Sequence, residues 1–349
     1  MDIPESLQAA IRRFRSSLDD ELYHVEHDTD MDGFAAGIIA TVALRRMGYE
    51  AYPYPKERSR AFVPEQGAIF FTDIALNGEP VDVVNAANTQ KKNVYAIDHH
   101  PWEQGVEKKL KAFVNPHLLS NIPEPSQWNA GFLAFLTFRE HVMDYDWLAA
   151  ISVYTDSCIR PWNQFLIDRY GYERVKKAGD MMTAYIATSQ DLRDLDWIIL
   201  DSLGSIDDVL NYKPFIVAQR KFESAVQKYL ENPKAYSHVW DEKRKVAILE
   251  TKERYNQINS VVSTRLSFLP EFRDWIIVVL GQEEDGTIKG SLRCQDWERR
   301  GVHLGKIASE IAESLGGRGG GHPMAAGMRI PAHRIERVVK KIEGAVARA

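Results

Sequence analysis

Between Ile3 and Leu18 the apolar residues Leu7, Ala10, Ile11, Phe14 and Leu18 recur at helical spacing, and Pro4 stands where its missing N–H costs nothing. The pattern predicts an amphipathic first helix. Leu22 to Val25 reads as a short strand running into the acidic stretch His27-Asp28-Thr29-Asp30-Met31-Asp32-Gly33, which opens directly into an apolar helix from Phe34 to Leu44. Two uninterrupted apolar pieces, Ala68 to Thr72 and Val94 to Ile97, are too short for helices and predict strands buried on both faces, as in a parallel sheet. Each ends at a carboxylate, Asp73 or Asp98. With Val81 to Ala87 as a crossover helix, the first third of the chain is a βαβ series with acidic residues at strand C-termini, where open parallel sheets place their ligands.

Asn129 to Val142 and Tyr145 to Tyr154 read as apolar helices, the second leading to Thr155-Asp156-Ser157. Helical patterns continue from about Tyr170 to Tyr229, broken near Gly204 and closed by Asn232-Pro233, as helices leading into a linker. Beyond Pro233 the pattern changes. Val246 to Leu249 and Trp275 to Leu280 are strand-like, Glu283-Glu-Asp-Gly286 reads as a turn, and Ile288 to Arg293 as the strand after it. A helix from Leu304 to Leu315 then enters Gly316-Gly-Arg-Gly-Gly-Gly-His-Pro-Met-Ala-Ala-Gly327, the most unusual segment of the sequence. The expected organisation is α/β: a parallel-sheet domain over 1–190, a helical linker over 191–235 and a smaller α/β domain over 236–349.

At 349 residues the chain is long enough for about two domains, and 44% hydrophobic with 27% charged residues fits an ordinary folded protein. Lys plus Arg total 44 against 49 Asp plus Glu, a formal net charge of -5, so a protein that coats duplex DNA is not expected and any nucleic-acid contact is local. Cys158 and Cys294 are far apart and in no metal-binding spacing, which excludes a disulfide framework and a zinc finger and points to a reducing, cytoplasmic setting. No apolar run reaches roughly 18 residues and the N-terminus carries acids without an apolar core segment, so neither a membrane span nor a secretory signal is expected.

The candidate chemistry starts with Asp28-x-Asp30-x-Asp32-Gly33. Three carboxylates at alternate positions repel one another unless a divalent cation compensates, and hard oxygen ligands suit Mg²⁺ or Mn²⁺; the competing reading is a solvated turn capping the next helix, with Asp32 at its N-terminus. The apolar run after Gly33 breaks an EF-hand pattern. Asp73 and Asp98-His99-His100, both following strands, point to the same end of the sheet as the acidic loop. Asp156 is either a further carboxylate for the set or a turn cap. Together these residues form the ligand set of a two-metal site, whose chemistry is phosphoester hydrolysis. In the glycine-rich segment, glycines let backbone N–H groups approach a phosphate while Arg318 and His322 add charge; the alternatives are a flexible loop or a helix C-cap at Gly316. Trp128 reads as core packing before base stacking, His117 as loop, Arg293 unaided as a surface residue and Lys306 as a solvated helix residue.

The acidic loop, Asp73, the literal Asp98-His99-His100 and Asp156 resemble the ordered motifs of the DHH phosphoesterase superfamily, and Gly319-Gly-Gly-His-Pro-Met-Ala-Ala-Gly327 resembles the GGGHxxAAG signature of its DHHA1 domain. The resemblance spans most of the chain. It implies a phosphoric ester hydrolase with a DHH domain before the linker and a DHHA1 domain after it, the substrate lying between the two. It also implies Asp30, Asp32, Asp73, His99 and Asp156 as metal ligands with Asp73 bridging, Asp28 or His27 as a further candidate, and two Mn²⁺ ions with Mg²⁺ as the alternative. Asp98, His99 and His100 become the catalytic set, Asp98 supporting the histidine pair and His100 contacting the phosphate. His100, Arg293, Arg318, Gly319, Gly320, Gly321 and His322 become the substrate contacts. Asp28, where many relatives carry His, resembles the RecJ-like variant. Chain length and net charge favour short single-stranded oligonucleotides or small nucleotides; longer strands, cyclic dinucleotides, pyrophosphate or polyphosphate, and a silent nucleotide-binding protein are the alternatives. Short members of the family leave room for a homodimer.

Overall fold

The computed structural model describes residues 3–56, 63–189, 191–283, 285–331 and 334–346. It divides into two compact units, residues 1–219 and 220–349. The division falls inside the expected linker.

The first unit opens with helix α1 (Glu5–Ser16), which buries Leu7, Ala10, Ile11 and Phe14 as its spacing predicts. Strand β1 (Leu22–His27), helix α2 (Met31–Arg46), strand β2 (Glu50–Pro55), strand β3 (Ala68–Thr72), helix α3 (Glu79–Thr89), strand β4 (Val94–Ile97) and strand β5 (Ala112–Val114) follow. The strands form one sheet in the order β2-β1-β3-β4-β5, parallel throughout. Side chains alternate between its faces. Phe70, Tyr95 and Ile97 join the core with α1 and α2, whereas Ile69, Phe71, Val94 and Ala96 pack with residues of α3, so β3 and β4 are buried on both sides. The Tyr52-Pro-Tyr-Pro segment has no decisive pattern in the sequence, yet it is the edge strand. Pro53 and Pro55 are tolerated there because an edge strand can do without ladder donors on one side.

Helices α4 (Ala130–Phe138), α5 (Asp146–Thr155), α6 (Gln164–Tyr170), α7 (Tyr172–Thr188), α8 (Arg193–Ser202) and α9 (Ile206–Asn211) complete this unit, and the unit boundary lies within α10 (Lys213–Glu231). Leu195, Ile199, Ile206 and Val209 are buried in the first core, so α8 and α9 are packed elements rather than a tether.

The second unit carries β6 (Ser237–Asp241), β7 (Val246–Thr251), α11 (Ile258–Phe268), β8 (Ile276–Gln282), β9 (Ile288–Arg293), α12 (Trp297–Arg300), α13 (Leu304–Glu313), β10 (Arg318–Gly321), β11 (Ala325–Ile330) and α14 (Ile335–Val346). Its mixed sheet has the order β10-β11-β9-β8-β7-β6, with only β7 and β8 parallel. The turn expected before β9 is described except for Glu284, which lies outside the described residues. The glycine-rich stretch is not a loop: Arg318 to Gly321 is an edge strand paired with β11. Its glycines serve close packing, since a Cβ on Gly319 would stand 2.4 Å from the Ala308 carbonyl oxygen of α13, and one on Gly305 would stand 2.1 Å from that of Gly321.

Candidate metal centre

Four of the predicted motifs come together at the C-terminal ends of β1, β3 and β4. Asp30 is the N-cap of α2, its Oδ1 accepting the Gly33 N–H at 3.0 Å. Capping therefore falls to Asp30, two residues before the position the turn reading gave it, and Asp32 is buried in the first turn. Gly33 is required here, because a Cβ would stand 2.4 Å from the Asp28 carbonyl oxygen.

Asp32 is held by donors far away in sequence. Its Oδ1 accepts from Asn129 Nδ2 at 2.7 Å, Gly131 N–H at 2.8 Å and Ser152 Oγ at 2.6 Å, and its Oδ2 from the Ala130 N–H at 2.8 Å. The start of α4 thus supplies both its N–H groups and its dipole to a buried carboxylate. A Cβ on Gly131 would stand 2.2 Å from Ser152 Oγ, so only glycine fits the cradle.

His99 places Nε2 3.4 Å from Asp73 Oδ1 and 3.8 Å from both Asp32 Oδ2 and Asp156 Oδ2. Its Nδ1 is 2.8 Å from the Ser126 carbonyl, which fixes the ring with Nδ1 as donor and Nε2 turned toward the carboxylates. Asp98 does not support both histidines. Its Oδ1 accepts from His100 Nδ1 at 2.8 Å, while the partner of His99 is the Ser126 carbonyl, because Asp98 and His99 project differently from the strand end. Asn115 ties this loop down, donating to the His100 carbonyl and accepting the His117 N–H, while His117 Nε2 reaches Ser126 Oγ at 2.9 Å.

Three donor sets have ligand atoms within 4.8 Å of one another: Asp28, Asp30 and Asp73; Asp73, His99 and His100; and Asp32, His99 and Asp156. Asp73 and His99 each belong to two of them. Asp73 stands with φ 58°, a left-handed conformation that a strand-end aspartate adopts only at a cost. Its Oδ1 and Asp98 Oδ2 are buried without a hydrogen-bond partner. Burial, then the neighbouring Asp32, Asp30, Asp98 and Asp28, holds the Asp73 carboxyl well above the usual carboxylate range. Asp30 is raised by burial and Asp32. Asp156 is pushed up to about 6 by burial and Asp32, against the opposing pull of His99. The hydrogen bond to Asp98 lifts His100 to about 9 despite burial. A cluster of carboxylates that resists ionisation and leaves buried oxygens unpartnered is short of positive charge, and its hard oxygens with one imidazole fit a pair of divalent cations such as Mn²⁺ or Mg²⁺.

His27 is excluded from that role. Both ring nitrogens are spent, Nδ1 on the Asp28 carbonyl at 2.7 Å and Nε2 on Asp196 Oδ1 at 3.0 Å, in a fully buried pair. Burial disfavours its charge, but Asp196 more than offsets this and the ring is raised. Trp128 is also out of reach of a base: it is buried, with its ring 4.7 Å from Trp162 and 3° from parallel. Sequence reasoning missed Ser152 and Asp196, and gave Ser126 and Asn129, in the segment leading into α4, no role of their own. It also missed Cys158, whose thiol donates to Asp156 Oδ2 at 3.0 Å.

In the second unit Arg293 donates to Thr264 Oγ1 and Ser260 Oγ of α11, both at 3.1 Å, and to the Leu292 carbonyl. It has no carboxylate partner among the described residues, and burial lowers its pKa. Arg318 and His322 are exposed at the β10–β11 hairpin, and a Cβ on Gly320 would meet open space. His322 exchanges backbone hydrogen bonds with Ala325.

Residues 243–348 match the family model of the DHHA1 domain. The second unit thus carries a DHHA1 domain, and the chain as a whole shares the fold of DHH-domain proteins. Among curated proteins, an uncharacterized protein of Methanocaldococcus jannaschii is 35% identical over 72 residues, which is 20% of this chain and only 22% of that relative. Among solved structures, a DHH-domain protein described as a member of a family of ribosomal proteins aligns with TM-score 0.72 and 17% identity, covering 98% of this chain and 91% of that one. RecJ of Thermus thermophilus with bound Mn²⁺ aligns with TM-score 0.69 and 18% identity, covering 99% of this chain and 55% of RecJ, and its Mg²⁺ complex aligns with TM-score 0.64. At these identities the likeness is one of fold. Among the described residues no helix is long and apolar enough to cross a membrane.

Proposed function

We propose that the chain is a metal-dependent phosphodiesterase acting on short single-stranded oligonucleotides or small nucleotides. The observation that carries this reading is the set of three overlapping donor groups sharing Asp73 and His99, with the Asp73 Oδ1 buried and unpartnered. Asp28, Asp30 and Asp73 would hold one cation and Asp32, His99 and Asp156 the other, with Asp73 between them. Two such ions would lower the pKa of a water and neutralise charge building on the phosphate oxygens. The residues of the chain do the rest. The α4 cradle holds the Asp32 carboxylate in one orientation, the Ser126 carbonyl keeps His99 Nε2 turned toward the carboxylates, and Asp98 keeps His100 protonated. His100 is partly exposed and thereby able to offer a charged N–H to a phosphate oxygen. Arg293, a half-buried cation without a carboxylate partner among the described residues, suits a phosphate group, with Arg318, His322 and the Gly319 to Gly321 strand in the same unit.

The test is one comparative assay with Mn²⁺ on a labelled RNA dinucleotide and pentanucleotide, a longer single-stranded DNA, 3'-phosphoadenosine 5'-phosphate and cyclic di-AMP. Preference for the short RNA or the bisphosphate, abolished by Asp73→Ala, is the expected result. Equal turnover by the Asp73→Ala protein would overturn the assigned site, and inactivity of the metal-loaded wild type on every substrate would overturn the reaction.

A further inference from the structure

Charge is divided unequally along the chain. Residues 220–349 carry 23 Lys and Arg against 17 Asp and Glu, a formal +6, whereas residues 1–219 carry 21 against 32, a formal -11. Within the basic unit several cations are neutralised locally: Arg244 pairs with Asp241, Lys245 with Asp274, Lys228 with Glu253 and Lys289 with Glu283. Helix α14 instead gathers four cations on one side. Arg334, Arg337, Lys340 and Lys341 are all exposed, line one surface depression together with Glu336, and have no carboxylate within 4.0 Å among the described residues. At spacings of three and four they share a helix side and repel one another. Arg334 and Arg337 moreover stand at the N-terminal end of the helix, where the dipole disfavours cations. The opposite side of α14 buries Val338, Val339, Ile342 and Val346 in the core, so the basic side cannot be turned inward.

We infer that the basic side of α14 is a second binding surface for the phosphate backbone of single-stranded nucleic acid. It is separate from the Arg293 position. Leu292 points into the core shared with α13 and α14, while Ser291 and Arg293 meet α11, so the two lie on opposite faces of the sheet. A dinucleotide held at Arg293 leaves α14 free, whereas a longer strand engages both. The inference rests on the phosphodiesterase reading for the kind of polyanion chosen, and it adds a dependence on strand length.

The test uses the full chain carrying Arg337→Gln and Lys341→Gln, with circular dichroism and melting as folding controls. Binding of a fluorescein-labelled 20-nucleotide single strand is followed by anisotropy in EDTA across a salt series. The expected result is at least tenfold weaker binding at 100 mM salt, a log–log salt slope shallower by about 1.4 for two lost phosphate contacts, and unchanged dinucleotide hydrolysis. The Arg337→Lys, Lys341→Arg protein should retain binding. Wild-type affinity and salt slope in the neutralised variant would overturn the inference, as would helix-dependent binding of inorganic polyphosphate or phosphatidylserine vesicles with none of the oligonucleotide. If the wild type hydrolyses nothing yet binds the 20-mer through α14, the enzymatic reading fails and this one stands.

Discussion

Replacing Asp156 with Asn should make the metal-free protein more stable. The Asp156 carboxyl is pushed from an ordinary 3.8 to about 6 by burial and by Asp32. A carboxyl raised in this way binds its proton more tightly folded than unfolded. Its ionisation therefore costs stability progressively as pH rises from about 3.8 through about 6, and the full cost applies above that. The difference of about 2 pKa units corresponds to about 3 kcal/mol. With its side chain 31% exposed, solvent screening reduces this to about 2 kcal/mol. For a unit of this size, that is about 4–8 °C in Tm. Asn keeps the shape and still accepts the Cys158 thiol proton while removing the charge. Calorimetric melts in EDTA at pH 7.5 should show the variant melting higher, with the difference shrinking at pH 5 and vanishing near pH 4. Added Mn²⁺ should stabilise the wild type by mass action and the variant far less. A variant that melts at or below the wild type at pH 7.5, or one that gains as much from Mn²⁺, would refute the account of this carboxylate cluster.

Three further outcomes follow from the geometry. Asp196→Asn strips the buried His27 ring of its anionic partner, and urea unfolding should show a loss of about 3–5 kcal/mol; a loss below 1 kcal/mol would mean the ring is uncharged in the fold. Gly131→Ala drives a Cβ into Ser152 Oγ and the Asp32 cradle, so the Mn²⁺-induced rise in Tm should be largely lost; a full rise would show that Asp32 is not held as described. Asn129→Ala deletes one of the three donors to Asp32 Oδ1 while leaving both backbone donors. Isothermal titration should show about 10–100-fold weaker metal binding, and unchanged affinity would remove Asn129 from the site's support.

Much of the first unit was legible from the chain alone. Strands β3 and β4 announce themselves as short apolar runs that stop at Asp73 and Asp98, because a strand buried on both faces has no polar position until it leaves the sheet. The amphipathic α1 and the start of α2 follow from spacing in the same way. Other features carry no local signal. The Tyr52-Pro-Tyr-Pro segment is a strand because only the assembled sheet provides an edge where prolines are tolerated. The glycines of β10 read as a phosphate-binding loop, since nothing in their neighbourhood reveals that α13 crosses them at backbone contact.

Around the candidate centre the division is sharper. The sequence determined which residue types are present and that several of them end strands of one parallel sheet, which suffices to bring carboxylates and a histidine to a common end. Tertiary structure decided what each of them does there. Asp32 meets donors 97 to 120 residues away, and His27 meets an aspartate 169 residues away. Those contacts give one acid four hydrogen-bond donors, pair one buried histidine with an aspartate and leave an Asp73 oxygen buried without a hydrogen-bond partner, because the environment of a buried group is built by segments its own neighbours in sequence cannot specify.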